Sequence, residues 1–371
     1  MRLYKMELYK LCHKKSFFAW SLFAVLLTGF YFWTEVGSEV AVVGKERYYG
    51  YEAVKVNRRI TGEYQGLLTD EKVAQIVGKY GLPSEVEYDY PGWRDANYLN
   101  GFVADYLSDG YMMSWDNYKA PTKVYGIAGT ELGNVQERMG REIYFAYTKG
   151  WKAFLGTLQT AMIFASILIV FGISTVFAQE SESGMRPLLF TTQKGQERDI
   201  MAKIAAAFTW TLMVYIVAVL LAFGQSAWVF GMEGGACPLS IAISRQGLLD
   251  AAQQVSYMPV SSFAYTMVKW DLAACLFLCA ITLCVSAHYK SNFGAVTMAA
   301  LLWGMPLGLR VFFGGFGYFI SSCMPIFMVM TDSLYEAFLW RQEKIVYAFV
   351  IPLFVICVEE GYQVYRRRQQ P

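Results

Sequence analysis

The sequence predicts an all-α polytopic membrane protein with six transmembrane helices and an extracytoplasmic domain, α or α+β, between helices 1 and 2. Of the 371 residues, 55% are hydrophobic and only 17% are charged, whereas a soluble chain carries about 25% charged residues. The apolar residues form blocks, as the roughly 20-residue spans of a bilayer require. A formal net charge of +2 argues against a protein that binds nucleic acid through bulk electrostatics.

Six apolar stretches qualify as membrane spans. The last two have blurred ends, because charged residues, glycines and prolines interrupt them. The part from 151 to 371 therefore holds five spans, and the first span precedes the soluble block. In chain order the six stretches are 16–34, 153–177, 204–230, 263–287, 293–324 and 345–358.

The distribution of basic residues predicts that both termini are cytoplasmic. With this orientation, 13 lysines and arginines lie in inner segments and 3 in the two short outer loops, in agreement with the positive-inside rule. A cleaved signal peptide is the competing interpretation, but the first apolar run is too long and no A-x-A site follows it. Residues 1–15 fit an amphipathic interfacial helix with Tyr4, Leu8 and Leu11 on one face. They also fit a basic leader that only sets the topology.

Residues 35–150 form the one soluble block large enough to fold alone. Helices are predicted from Thr69 or Asp70 to Gly81, over 96–107, and over 134–149, where the third leads into the second span. The block contains no cysteine, which excludes a disulfide-built module. Its aromatic residues fit a ligand or partner surface, but a core and a belt at the headgroups are favoured. They include Tyr88, Tyr90, Trp93, Tyr98, Tyr111 and Trp115.

Catalytic motifs are missing from the sequence. It contains no Walker A loop and no H-E-x-x-H, G-x-S-x-G or C-x-x-C pattern, so we expect no catalytic residue, no metal site and no cofactor bound by this chain. Most of its cysteines lie in apolar stretches, where cysteine acts as a small hydrophobic residue. Cys237 and Cys323 are the one pair that could meet at the outer face, and whether they pair is left open.

Three charged residues interrupt the apolar stretches. Lys269, Asp271 and Arg310 each carry a membrane penalty of about 2.5–3.5 kcal/mol at a helix centre. Two interpretations are open: an intramembrane Asp271–Arg310 pair along a substrate path, or side chains that reach the interface. The segment 325–344 is too polar to span and fits an outer re-entrant or interfacial helix.

The inner loop 178–203 is the most informative segment. It places two acids before a turn, then a short apolar group, then basic residues. An ordinary solvated loop is one interpretation, but an apolar group has no reason to face water, and a cytosolic partner would explain it. The residues concerned are Glu180, Glu182, Gly184, Leu188, Leu189, Phe190 and Arg198.

This loop resembles the segment after the second span in permease subunits of the ABC-2 exporter family. The shared pattern is a Glu-rich stretch with Gly184, a Leu-Leu-x-x-Thr element from Leu188, a basic residue at Arg198, and Ala202–Lys203 at the entry to the third span. The resemblance covers nearly the full length and implies a type V ABC exporter-like fold. It implies that the loop docks on a cytosolic ABC ATPase subunit, which binds ATP and Mg²⁺, and that a second permease copy or a similar permease completes the path.

The sequence is compatible with two functions. The first is the permease subunit of an ATP-driven exporter in a bacterial cytoplasmic membrane. The alternative is a multi-span receptor or scaffold that senses an outer ligand and signals to a cytosolic partner. Six spans and a glycine-rich fifth stretch favour transport. No residue in the sequence selects a substrate.

Overall fold

The computed structural model describes residues 2–86, 92–183, 195–242, 257–312, 321–331, 334 and 343–367. It divides into two compact units. Unit 1 comprises Met1–Thr28, Leu158–Ala222 and Met267–Pro371, and unit 2 comprises Gly29–Thr157 and Phe223–Thr266.

The described chain is mostly helical, with a few short strands. The helices are α1 (Arg2–Cys12), α2 (Lys15–Gly37), α3 (Gly50–Tyr64), α4 (Asp70–Tyr80), α5 (Tyr98–Tyr106), α6 (Glu131–Met139), α7 (Lys149–Ile173), α8 (Ala178–Glu182), α9 (Gly195–Val229), α10 (Leu239–Ala242), α11 (Val260–His288), α12 (Asn292–Phe312), α13 (Pro325–Met328) and α14 (Glu343–Arg367). The strands are β1 (Val40–Val43), β2 (Glu46–Tyr49), β3 (Gly66–Leu67), β4 (Tyr111–Ser114), β5 (Asn117–Lys119) and β6 (Tyr144–Phe145).

Within the described residues, six helices are long and apolar enough to cross a membrane. They are α2, α7, α9, α11, α12 and α14, so the chain is a multi-pass membrane protein and the predicted number of spans is confirmed. The third helix begins at Gly195, well before the predicted start at 204, because its first two turns are polar and carry no hydropathy signal. The last helix likewise continues through its basic end to Arg367.

Close packing of small and large residues holds the helices of unit 1 together. Gly172 of α7 lies against the buried Trp210 of α9, where a Cβ would come within 2.4 Å of the indole. Trp303 Nε1 of α12 donates to Ser166 Oγ of α7 at 2.9 Å. Such contacts of small residues let helix backbones approach closely where lipid gives no hydrophobic driving force.

The predicted N-terminal helix is confirmed as α1. Leu11 is buried, and Tyr4 Oη donates to Thr209 Oγ1 of α9 at 3.0 Å. Just after α1, Lys14 Nζ donates to Thr175 Oγ1 at 2.6 Å. The apolar face of α1 therefore packs on protein.

Unit 2 is an α+β unit built around α3, α4 and α5. Its three sheets are antiparallel pairs, β1–β2, β3–β6 and β4–β5. The core takes one face of each helix and is formed by residues such as Ala53, Ile60, Val73, Ile76, Leu99, Val103 and Phe145. Residues 35–150 thus contain both helices and strands, and their position outside the membrane stays a prediction.

Of the three helices predicted for residues 35–150, two are confirmed and one is wrong. The first is confirmed as α4, with Thr69 as N-cap and Gly81 after its last residue, and the second as α5. The third, predicted over 134–149, is wrong. Helix α6 ends at Met139 because Gly140 adopts a left-handed conformation (φ +62°), and β6 separates it from α7.

The predicted re-entrant segment 325–344 is described only in part. Helix α13 occupies its start, and Leu334 is buried. Most of the remainder lies outside the described residues, so the re-entrant helix stays a prediction.

Candidate functional site

A buried charge cluster lies at the end of unit 1 where α8 and α9 meet. Lys203 is only 1% exposed. Its Nζ lies 2.8 Å from Glu180 Oε1 and 4.0 Å from Glu7 Oε1, and it also bonds Asp199 one turn earlier on α9. A buried lysine is stable only when it is paired in this way.

Two further contacts extend this Lys203 cluster to other helices. Tyr365 Oη of α14 donates to Glu180 Oε2, and the Tyr365 ring packs on Phe177 with centroids 4.5 Å apart. On α1, Lys10 Nζ lies 2.6 Å from Glu7 Oε1. Charged and hydroxyl groups therefore join α1, α8, α9 and α14.

The short helix α8 is also held by α11 and α12. Ser286 Oγ of α11 accepts from the backbone N–H groups of Phe177 and Ala178, at 2.9 and 3.3 Å. Glu182 Oε2 accepts from the N–H of Asn292 at 2.8 Å, which places a carboxylate at the N-terminus of α12. This position is favourable because the first N–H groups of a helix lack intrahelical partners. The start of the predicted inner loop is thus a fixed element.

The cluster brings three carboxylates together around one lysine. Within the described residues, carboxylate oxygens of Glu7, Glu180 and Asp199 lie within 4.8 Å of one another. The Lys203 ammonium contacts all three and supplies the positive charge that holds them together.

The predicted loop residues are partly brought together. Glu180 and Glu182 both lie on α8 and hold helix ends, whereas Arg198 is exposed on α9. Gly184, Leu188, Leu189 and Phe190 lie outside the described residues. The partners in the Lys203 cluster were missed, since only the i,i+4 spacing of Asp199 and Lys203 was visible in the sequence. Glu7 and Tyr365 come from opposite ends of the chain.

The predicted Asp271–Arg310 ion pair is not formed. Asp271 is fully buried, and neither of its carboxylate oxygens has a hydrogen-bond partner among the described residues. The Arg310 guanidinium instead lies over the Phe327 ring, 4.9 Å from its centroid, and Lys269 is exposed. A cation–π contact takes the place of the ion pair at Arg310. The role of these residues in a substrate path stays a prediction.

Unit 2 contains a cleft of about 1080 Å³ that the sequence did not reveal. Trp93 Nε1 donates to Asp105 Oδ1 at 3.0 Å, and Lys149 Nζ bonds Glu39 Oε1 at 2.7 Å, both beside the cleft. Trp93 is buried, whereas Tyr111 is 42% exposed. The lining combines aromatic rings with acids and lysines, as ligand sites often do.

The remaining aromatic and cysteine predictions have mixed outcomes. Tyr98 is half-buried and packs against the core, and its hydroxyl is hydrogen-bonded to Thr148 Oγ1 at 2.9 Å, whereas Trp115 is 57% exposed. Tyr88 and Tyr90 lie outside the described residues.

Cys237 and Cys323 are both free thiols. Burial raises the pKa of Cys237 to about 12, so this thiol is unreactive at neutral pH.

Comparison of the sequence with the models of known protein families gives no match, and comparison with curated proteins gives no significant match.

Proposed function

We propose that the chain is the permease subunit of an ATP-binding cassette exporter. In this function it moves a substrate outwards across the cytoplasmic membrane, with ATP hydrolysed by a separate ATPase subunit. The observation that carries the proposal is the attachment of α8, at the start of the inner loop, to four of the six long helices. These are α9 through Lys203, α11 through Ser286, α12 through Asn292 and α14 through Tyr365.

Such attachment is what a coupling element requires. A partner that binds the loop would displace α8, and α8 would carry the connected helix ends with it. Removing one partner of a buried ion pair costs about 3–5 kcal/mol. Inverting a two-state equilibrium from 1:99 to 99:1 takes about 5.5 kcal/mol. Since breaking the cluster would consume most of that free energy, we expect it to move as one body.

The mechanism needs a partner with two nucleotide states that prefer different packings of the helices, because a ligand without differential affinity shifts no equilibrium. Two permease subunits would enclose the path. This chain would contribute helix packing and substrate contacts, and the partner would contribute the nucleotide chemistry.

The decisive experiment is purification of the tagged chain from its native membrane in mild detergent, followed by mass spectrometry. We expect a stoichiometric subunit that carries a Walker A loop. A triple change of Leu188, Leu189 and Phe190 to serine should abolish its recovery. A matched control changes three exposed apolar residues of unit 2, Leu67, Tyr111 and Met113, to serine and should leave recovery intact.

A second variant separates docking from coupling. Lys203→Met, assayed well below its own unfolding temperature, should keep the ATPase bound but reduce its stimulation by the permease at least tenfold, because the connected helix ends no longer move together. Recovery of the chain alone, or unchanged ATPase recovery with the triple variant, would contradict the proposal.

The cleft in unit 2 favours one alternative, a receptor that senses a ligand. Its volume of about 1080 Å³ and its mixed aromatic and charged lining suit a small amphipathic molecule. The same purification distinguishes the two functions, since a receptor would bring a cytosolic kinase or regulator in place of a Walker A subunit.

A further inference from the structure

Asp271, near the middle of α11, is a buried acid without a hydrogen-bond partner among the described residues. Its exposed fraction is 0%, and both carboxylate oxygens lack hydrogen bonds within the described part of the chain. The neighbouring Trp270 is 1% exposed, and its indole N–H also lacks a partner. Buried polar groups are normally hydrogen-bonded, so two adjacent exceptions call for an explanation.

Within the described residues, no positively charged group is paired with Asp271. Helix α9 contributes Tyr215, whose hydroxyl donates to the backbone oxygen of Val268 at 2.7 Å. Helix α14 contributes Tyr347, whose ring packs on Trp270 with centroids 5.0 Å apart. Both tyrosines, and Cys275 one turn further along α11, lie close enough to Asp271 to interact electrostatically.

The two nearby cations of the sequence do not neutralise this carboxyl. Lys269 is exposed, and residues two apart on a helix do not face each other. The Arg310 guanidinium is stacked on Phe327. An isolated ionised carboxylate in an apolar interior is far less stable than the neutral acid, and such a group takes up a proton instead.

We propose that Asp271 is a proton-binding site inside the membrane-spanning helices. Its carboxyl is protonated in this packing of α9, α11 and α14. When the packing opens and water reaches the side chain, the carboxyl ionises to a carboxylate and the proton passes to water. Protons therefore favour the closed packing, and any transition that opens it becomes dependent on pH. The proposal does not depend on the transport or receptor function.

The direct test is infrared spectroscopy of the full chain in lipid nanodiscs at neutral pH. The difference between the native protein and Asp271→Asn should show a protonated-carboxyl C=O band that is lost in the variant. Asp271→Glu should shift this band rather than abolish it. Glu137→Gln, a change at an exposed acid of unit 2, should leave the band in place. A carboxylate band in place of the C=O band would overturn the proposal.

The dependence of folding stability on pH gives an independent test of the proposal. If the folded chain holds one proton more than the unfolded chain, stability falls as pH rises above the ordinary Asp pKa of about 4. The folding equilibrium constant of the native protein should then fall tenfold per pH unit relative to Asp271→Asn, until the folded carboxyl itself ionises. Parallel pH profiles of the two proteins would show that Asp271 is ionised in the folded state and would overturn the proposal.

Discussion

At the scale of single residues, buried charge is tolerated in two different ways in unit 1. Lys203 is surrounded by Glu7, Glu180 and Asp199 and stays paired. Asp271 has no such partner in the part of the chain that the structure describes. In a cluster of opposite charges, each charged group is ion-paired with another, whereas a lone buried acid is neutralised by binding a proton.

Replacing Lys203 by methionine should destabilise the protein strongly. The carboxylates of Glu180 and Asp199 would lose their shared cation in a buried position, and we expect a loss of about 3–5 kcal/mol in unfolding free energy. Thermal unfolding in detergent, followed by tryptophan fluorescence, measures it. Lys290→Met is the matched control, because Lys290 is exposed and should cost less than about 0.5 kcal/mol. Equal effects of the two variants would show that the cluster does not stabilise the fold.

Asp109 in unit 2 should make stability depend on pH in the opposite sense to Asp271. Lys119 Nζ and the backbone N–H groups of Thr122 and Lys123 bond its carboxylate at 2.7–2.8 Å, and they hold the pKa of Asp109 well below its usual range. This stabilisation is fully present above the unfolded pKa of about 3.9 and is lost as pH falls through the folded pKa. Asp109→Asn should therefore lower the Tm at pH 7.

The difference in Tm between Asp109→Asn and the native protein should shrink steadily below about pH 4. Differential scanning calorimetry across this range checks it. A Tm difference that stays constant with pH would mean that the carboxylate charge does not stabilise this loop.

At the scale of elements, side-chain caps fix where the helices of unit 2 begin. Asn97 Oδ1 accepts from the N–H groups of Leu99 and Asn100 at 3.0 and 3.1 Å. Its amide donates to Val42 O at 2.9 Å, and Asn100 Oδ1 accepts from the Asn97 N–H. One buried residue therefore caps α5 and joins it to β1.

Asn97→Ala should cost about 1–3 kcal/mol, since the cap and a buried hydrogen bond are both lost. Chemical denaturation of the full chain measures this loss. Asn134→Ala, an exposed change on α6, serves as the control and should stay within about 0.5 kcal/mol. A similar midpoint for both variants would show that the capping box is dispensable.

Helices α11 and α14 should be cross-linkable by oxidation. A Cβ at Gly361 would lie 3.2 Å from Cys284 Cα, and the Cys284 and Cys357 thiols lie close enough to interact electrostatically. Mild oxidation with copper–phenanthroline should therefore link Cys284 to Cys357, as a peptide pair in mass spectrometry. Serine at either position should remove the cross-linked peptide pair. If the oxidised native protein does not yield this pair, the close approach of the two helices is contradicted.

Local patterns explain which elements were predictable. Long apolar runs gave the six spans, and the capping residue at Thr69 with Gly81 gave α4. The helix predicted over 134–149 failed because the left-handed Gly140 and the β3–β6 pairing interrupt it. Contacts between distant segments, such as Glu7 with Lys203, leave no periodic signal, and the Asp271–Arg310 pair was inferred from charge alone. Whether such groups meet depends on how the helices pack in three dimensions.

At the scale of the whole molecule, the order of elements is simple. Two helices precede the first strands, the α+β residues follow, and the remaining long helices lie between Lys149 and Arg367. With the predicted orientation, 13 basic residues lie in the inner segments, the two termini included, and 3 lie in the two short outer loops. By the positive-inside rule, this asymmetry predicts that the segments with 13 basic residues are cytoplasmic.

This sidedness predicts the result of cysteine labelling with a membrane-impermeant maleimide. Lys45→Cys, in the exposed turn between β1 and β2, should react in intact spheroplasts, and Lys290→Cys, between α11 and α12, only after permeabilisation. The unsubstituted chain measures the background from its own cysteines. The reverse pattern would place the Lys203 cluster on the outer side, where no ATP-hydrolysing subunit can reach it, and the proposed exporter function would fail with the topology.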